Sequence, residues 1–304
     1  MAAISRAKAG LSCAPMKFCA SLAFTEPRDY LELARLAEEC GWDALVLSDH
    51  VVHPHTIASK YPYAADGKRP WEEPDPWPDA WVAIAAMGAV TTRLEFLTGV
   101  YVVPMRHPFH LAKALGTAAV MTNGRVSLGL GLGWMRDEFE LLGEDFDTRA
   151  ARTEEMIAVM RKLWSGERVE HHGRFYDFGP LNMRPPVEKP IPILVGGVTE
   201  GAYRRIGRFG DGWLPHAILL EEAKAGLARI REHRRAAGRA DAPLTAVVPL
   251  KDVFTPDGYR RAEDAGVTHV LTAPWLMYGG SHRSLEDKRN GLRRFADEVI
   301  GKLR

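Results

Sequence analysis

The sequence predicts an α/β protein: a (β/α)8 barrel of the TIM type, with insertion loops at the C-terminal face of its strands. Three observations predict it. Short apolar runs alternate with amphipathic segments along almost all of the 304 residues. Eight such runs can be delimited, and eight strand–helix units suit a barrel of about 250 residues before insertions. The punctuation agrees, with proline at helix starts and glycine past helix ends, so the alternation reads as parallel strands joined by right-handed crossovers. A doubly wound open sheet is the alternative, with fewer units and no need of eight.

In chain order, Met16 opens the domain and the first strand spans 17–23. Pro27 and Gly41 bracket a helix over 28–40. The second strand is 44–48 and the third 94–102, with a helix over 79–91 between them. Pro108 begins a helix over 108–122 that Asn123 and Gly124 close, and the fourth strand follows over 126–132. Helix 150–164, strand 191–195, helix 200–209, strand 212–215, helix 221–237, strand 245–249, helix 257–265, strand 269–273 and helix 284–302 complete the set.

Two insertions interrupt the repeat. Residues 51–78 form a proline- and aromatic-rich loop carrying Tyr61, Tyr63, Trp71 and Trp77. A loop this long inside a compact domain is either functional or disordered. Residues 166–190 contain His171-His172-Gly-Arg-Phe-Tyr-Asp-Phe, whose alternation predicts an extra hairpin. Residues 1–15 lack an apolar stretch and read as a disordered extension, leaving 16–304 as one domain.

Composition narrows the function. With 46% hydrophobic residues the chain can bury a large core. A formal net charge of +1 speaks against nucleic acid or a membrane surface as partner. The arginines at 229, 231, 234, 235 and 239 alternate with Glu232 and His233, as on a solvated helix face. The three cysteines, Cys13, Cys19 and Cys40, form no CxxC pair, so neither a disulfide framework nor a zinc site is indicated. No apolar run reaches the roughly 18 residues that span a bilayer. The reducing cytoplasm is the expected location.

In a barrel of this kind the chemistry lies at the C-terminal strand ends. That face gathers Asp49, His50, Gly99–Val103, Gly133–Arg136, Gly196–Thr199, His216, Lys251 and Trp275. A histidine there can exchange a proton near neutral pH, and the adjacent carboxylate can fix its tautomer or bind a cofactor edge. A structural hydrogen bond at the strand end is the other reading of Asp49-His50. Gly129, Gly131 and Gly133 strip one face of the fourth strand, and Trp134 follows at once. That pattern fits either a wall for a flat ligand or a tightly packed barrel strand. Its spacing is not that of GxGxxG. Gly196 and Gly197 lead directly into a helix, where bare N–H groups suit a phosphate or simply make the turn. His53-Pro-His55 invites a metal, but it lies inside the loop beyond the strand, and no metal site is assigned. Arg106-His107-Pro108 can bind an anion or cap the next helix.

Taken together these pieces resemble the bacterial luciferase-like monooxygenase superfamily, and within it the oxidoreductases that use the deazaflavin coenzyme F420. The resemblance rests on Met16-Lys-Phe, Gly41-Trp-Asp-Ala-Leu-Val-Leu-Ser-Asp-His, Thr91-Thr-Arg-Leu-Glu-Phe-Leu-Thr-Gly-Val and Pro104-Met-Arg-His-Pro. It continues through Asn123-Gly-Arg, Gly131-Leu-Gly-Trp-Met-Arg-Asp-Glu-Phe, Leu163-Trp, Pro192-Ile-Leu-Val-Gly-Gly and Gly210-Asp-Gly-Trp. These recur in order from Met16 to about Pro215, and they specify the superfamily better than the cofactor.

The resemblance implies a ring bound over the C-terminal strand ends, with Asp49 and His50 facing it and His50 as the proton-transfer residue. Gly99 and Val100 would correspond to a non-prolyl cis peptide behind the ring. Leu132, Gly133 and Trp134 would line the cofactor, and Gly196, Gly197 and Val198 would approach its ring or phosphate end. The implied reaction is hydride transfer between F420 and an organic substrate. The alternative is an FMN-dependent monooxygenase, and a third reading, of another class, is a metal-dependent hydrolase using His53, His55 and Asp49. A homodimer through the helices at 79–91 and 108–122 is also implied. One departure stands out. Relatives that oxidise sugar phosphates keep an acidic glutamate after the glycine equivalent to Gly133, and here that residue is Trp134.

Overall fold

Eight parallel strands close into a barrel in the computed structural model, which describes residues 15–304. The extension expected at 1–15 therefore lies outside the described residues, apart from Pro15. The strands are β1 (Lys17–Ser21), β2 (Ala44–Leu47), β3 (Glu95–Thr98), β4 (Tyr101–Val102), β5 (Val126–Gly131), β6 (Val169–His172), β7 (Asp177–Leu181), β8 (Ile193–Gly196), β9 (Gly212–Leu214), β10 (Thr245–Val248) and β11 (His269–Thr272). Around the barrel the order is β3-β2-β1-β11-β10-β9-β8-β5, closed by pairing of β3 with β5.

The expected third strand is present in two pieces. Its first half, β3, pairs with the start of β5 (Phe96 opposite Val126), and its second half, β4, pairs with the end (Val102 opposite Gly131). The break between them is the Gly99–Val100 peptide, which is cis. The other strands and the main helices stand where the alternation placed them. The insertion at 166–190 is an antiparallel hairpin, β6–β7, and the insertion at 51–78 has neither helix nor strand. Helices Arg136–Leu141 and Pro274–Met277 were not foreseen, being too short to show a helical period. The last helix, Leu285–Phe295, continues as a π-turn over Ala296–Ile300.

Alternation along each strand sends one set of side chains inward and the other against the helices. Cys19, Ala44, Val46, Leu97, Leu194, Leu214 and Val247 fill the barrel interior. Burial there pushes the Cys19 thiol far above its usual range. Arg125, of the Asn-Gly-Arg triplet, donates to the carbonyls of Gly88, Thr91, Leu94 and Thr122, tying the neighbouring helix ends to the start of β3.

The glycines of β5 serve packing. A Cβ on Gly129 would lie 1.7 Å from the Thr98 carbonyl oxygen, and one on Gly131 would lie 2.4 Å from a Val100 methyl. Val100 also sits 3.0 Å from where a Cβ on Gly196 would be. Two glycines on the neighbouring strands β5 and β8 thus admit one valine to the top of the barrel, where it floors the mouth.

Candidate active site

β2 delivers Ser48, Asp49 and His50 to the mouth. The Asp49 side chain is 1% exposed, and both of its oxygens are committed. It accepts from Arg106 Nη1 at 2.5 Å and Nη2 at 2.7 Å, and from the Val102 amide at 2.9 Å. Burial disfavours the Arg106 charge, but the Asp49 carboxylate outweighs it and holds the guanidinium charged. Tyr101 lies beneath that guanidinium, 4.2 Å from ring centre to cation. The anion foreseen for Arg106 is therefore internal, while His107 caps the next helix by accepting from the Phe109 amide. This pair locks the end of β2 to β4 and so fixes the backbone that carries His50.

His50 is 11% exposed, and its Nδ1 lies 2.8 Å from Oε2 of Glu138, itself 2% exposed. Glu138 also accepts from the amides of Val51 at 2.5 Å and Val52 at 3.2 Å. Burial raises the Glu138 pKa, but the His50 bond and these amides more than offset it, leaving the carboxyl below its ordinary value. An ionised carboxylate only accepts, so Nδ1 carries the hydrogen and Nε2 is left to exchange a proton. Around the imidazole stand Trp77 at 4.7 Å, Trp71 at 5.2 Å and Trp134 at 6.3 Å between ring centres.

The helix Arg136–Leu141 also holds the 51–78 loop in place. Asp137 accepts from the amides of Ala58 and Ser59, and the Ser59 hydroxyl accepts from the Arg136 amide. Neighbouring carboxylates thus clasp the loop over the mouth. Tyr61 meets both Trp71 and Trp134 edge-on, and Tyr63 stacks on His216 at 4.7 Å. Burial, with help from Lys251, holds His216 below the ordinary histidine range.

The opposite wall is barer. Gly197 has φ +103°, a conformation that glycine favours, and its carbonyl accepts from Trp213 Nε1 at 2.8 Å. Val198 is partly exposed beside it, and Thr199 caps the helix Glu200–Arg208. On the β5 side Leu132 is half-buried, and a Cβ on Gly133 would meet Phe139 at 2.6 Å. The buried ring nitrogens without a partner among the described residues include three at this mouth: Trp71 Nε1, Trp77 Nε1 and His216 Nδ1. All three belong to rings of the aromatic network linking the 51–78 loop to His50 and His216.

The structure thus brings His50, Trp134, Val100, Gly133 and Gly196 to one face, with Asp49 turned behind it toward Arg106. His53 and His55 do not converge with Asp49. His53 accepts from Arg69 at 3.2 Å, and His55 pairs with Glu73 at the surface. Among the described residues no group of three or more His, Cys, Asp or Glu could hold a metal ion. Sequence reasoning missed Glu138 as a partner. It lay inside a quoted motif, but only the fold shows that its carboxylate reaches His50.

The chain matches the luciferase-like monooxygenase family over residues 8–291. It belongs to that family. It is accordingly an oxidoreductase of the F420- or flavin-dependent kind. An uncharacterized protein of Mycobacterium tuberculosis is 38% identical over 291 residues, 95% of this chain and all of that one. An F420-dependent glucose-6-phosphate dehydrogenase of Gordonia bronchialis is 30% identical over 79% of this chain and 68% of its own. Two solved structures share the fold. An F420-dependent secondary alcohol dehydrogenase with an F420-acetone adduct has TM-score 0.75 at 18% identity, covering 96% of this chain and 100% of that one. The oxygenating constituent of a Pseudomonas putida diketocamphane monooxygenase with FMN has TM-score 0.69 at 16% identity, covering 95% and 99%. No helix among the described residues is long and apolar enough to cross a membrane.

Proposed function

We propose that the protein is a cytoplasmic F420-dependent oxidoreductase acting on a small organic molecule, with His50 exchanging the proton that accompanies hydride transfer. The observation that carries this reading is the His50–Glu138 dyad enclosed by three tryptophans at the mouth of the barrel. Glu138 fixes the imidazole so that Nε2 donates or accepts. The aromatic loop excludes water from that exchange.

The mouth fits a flat cofactor. It has a small apolar floor at Val100, bare backbone at Gly196 and Gly197, and unpartnered ring N–H groups at Trp71 and Trp77. Gly99, Val100, Leu132, Gly133 and Trp134 would hold the ring, and Gly196, Gly197 and Val198 its phosphate end. Bound there, F420 would supply the hydride chemistry at its C5 position. Asp49 would serve from behind, because its carboxylate is spent on Arg106 and Val102.

The alternative, an FMN-dependent monooxygenase, is supported by the diketocamphane monooxygenase likeness. Fluorescence titration of the purified protein with each cofactor separates the two. The expected result is tight F420 binding, and nanomolar FMN binding with no F420 binding overturns the reading. Trp134 in the position of the sugar-phosphate acid speaks against sugar phosphates as substrates.

A homodimer is proposed through the outer faces of helices Ala80–Gly88 and Pro108–Met121, where Val82 is 71% exposed and Met121 60%. Light scattering should give twice the chain mass, and Val82→Lys with Met121→Lys should halve it.

A further inference from the structure

Resting on the reading above, we propose that the 51–78 loop selects a planar, largely apolar substrate bearing a carboxylate, which Arg69 binds. A cavity of about 420 Å³ opens beneath this loop, and Ile57, Tyr61, Trp71, Trp134, Lys68 and Arg69 are among the residues that line it. Its volume lies within the range of roughly 300–1,000 Å³ typical of small-molecule sites. Larger hollows, of about 640 and 750 Å³, lie against the last helices, the second of them also reaching Glu39 and Cys40, and include no strand residue.

Position ties this cavity to the chemistry. Trp71 and Trp134 line it, and the same two rings stand 5.2 Å and 6.3 Å from the His50 ring. Tyr61, Trp71 and Trp134 pack edge-on at 87°, 79° and 68° to one another, forming an aromatic wall against which a flat apolar molecule can lie.

Charge gives the second half of the argument. The loop has four carboxylates, and each has another partner. Asp66 accepts from the Lys68 backbone amide, Glu73 pairs with His55, and Glu72 and Asp75 both pair with Arg283. On the facing helix, Asp137 and Glu138 are spent on loop amides and on His50. Arg69 donates to His53 Nδ1, and burial together with the guanidinium charge holds that histidine below its ordinary pKa. The cavity thus presents the Lys68 and Arg69 cations beside an aromatic wall, with no acid among its lining residues. A guanidinium fork matches a carboxylate in two hydrogen bonds, and a phosphate monoester offers the same anionic chemistry.

Calorimetric titration of the protein with naphthoate, naphthyl phosphate and naphthalenemethanol tests the proposal. The expected result is that naphthoate binds at least tenfold more tightly than the alcohol. Arg69→Ala should remove that advantage while leaving the alcohol's Kd unchanged, and Arg69→Lys should restore part of it. A retained melting temperature in both variants secures the comparison. Equal binding of acid and alcohol, naphthoate affinity untouched by Arg69→Ala, or tighter binding of the phosphate than of the acid overturns the assignment. Naphthoate binding should persist at saturating F420. Competition between them overturns the proposal, because the cavity would then belong to the cofactor. Failure of F420 to bind at all would sink the preceding reading and leave the acid–alcohol comparison intact.

Discussion

The two halves of the barrel mouth are built differently. On the β2–β5 half, the polar groups of Asp49, Arg106, Glu138 and Asp137 all have partners within the protein, and His50 keeps one ring nitrogen free. On the β8–β9 half, glycine backbone and Val198 border the mouth, and His216 has a buried nitrogen without a partner. The first half is preorganised, with geometry fixed before any ligand arrives, which is what proton transfer requires. The second offers unspent surface, which is what holding a ligand requires. Substitutions of the paired groups Arg106, Glu138 and His50 should therefore change turnover or folding, and those of the bare backbone at Gly197 should change cofactor affinity.

The largest effect is expected at His50. His50→Ala should lower turnover by about 10²- to 10⁴-fold, the usual contribution of a positioned acid or base, with cofactor Kd changed less than about threefold. Turnover that survives the substitution at unchanged cofactor affinity removes His50 from the chemistry. Next in size is Arg106→Ala, which strands the buried Asp49 carboxylate. Breaking one side of a buried ion pair costs about 3–5 kcal/mol, so urea unfolding should show a loss of that order. A loss under about 1 kcal/mol would mean that the strand end is held by other contacts.

These two predictions also mark how much was legible in the sequence. The barrel was, because hydrophobic period and helix punctuation are local properties that each segment carries by itself. His50 was, because a strand end in a barrel is a known place. What Asp49 does was not. The dipeptide Asp49-His50 suggests two groups facing one ligand, yet successive residues beyond a strand diverge, and Asp49 turns toward Arg106, 57 residues on. Glu138 was hidden for the same reason: its bond to His50 spans 88 residues. The glycines of β5 were ambiguous because a missing Cβ can leave room for a ligand or for the protein, and only the positions of Thr98 and Val100 show that it is the protein.

Glu138→Gln sharpens the contrast through pH. The carboxyl's folded pKa lies below its ordinary 4.5, so its contribution to stability is full above pH 4.5 and is lost as pH falls through the depressed folded value. The glutamine variant should lose that acid-side dependence of the melting temperature. It should also lose about tenfold in turnover, because a neutral amide no longer dictates which imidazole nitrogen carries the hydrogen. An acid-side melting profile identical to that of the parent would show that the carboxylate is not held as the geometry indicates.

The smallest effect belongs to the barer half, and it decides whether the division is real. Gly197→Ala meets no steric obstacle, since the nearest atom to its Cβ would be Ala202 at 3.6 Å. Its cost is confined to the backbone, where an L-residue at φ +103° gives up about 1–2 kcal/mol. The expected outcome is a modest fall in melting temperature, a several-fold weaker Kd for F420, and an unchanged rate once the cofactor is saturating. A rate loss that persists at saturation would place Gly197 in the chemistry and dissolve the distinction between the two halves. Weaker binding alone would uphold it, because only a group that positions the ligand without touching the proton transfer separates affinity from rate in that way.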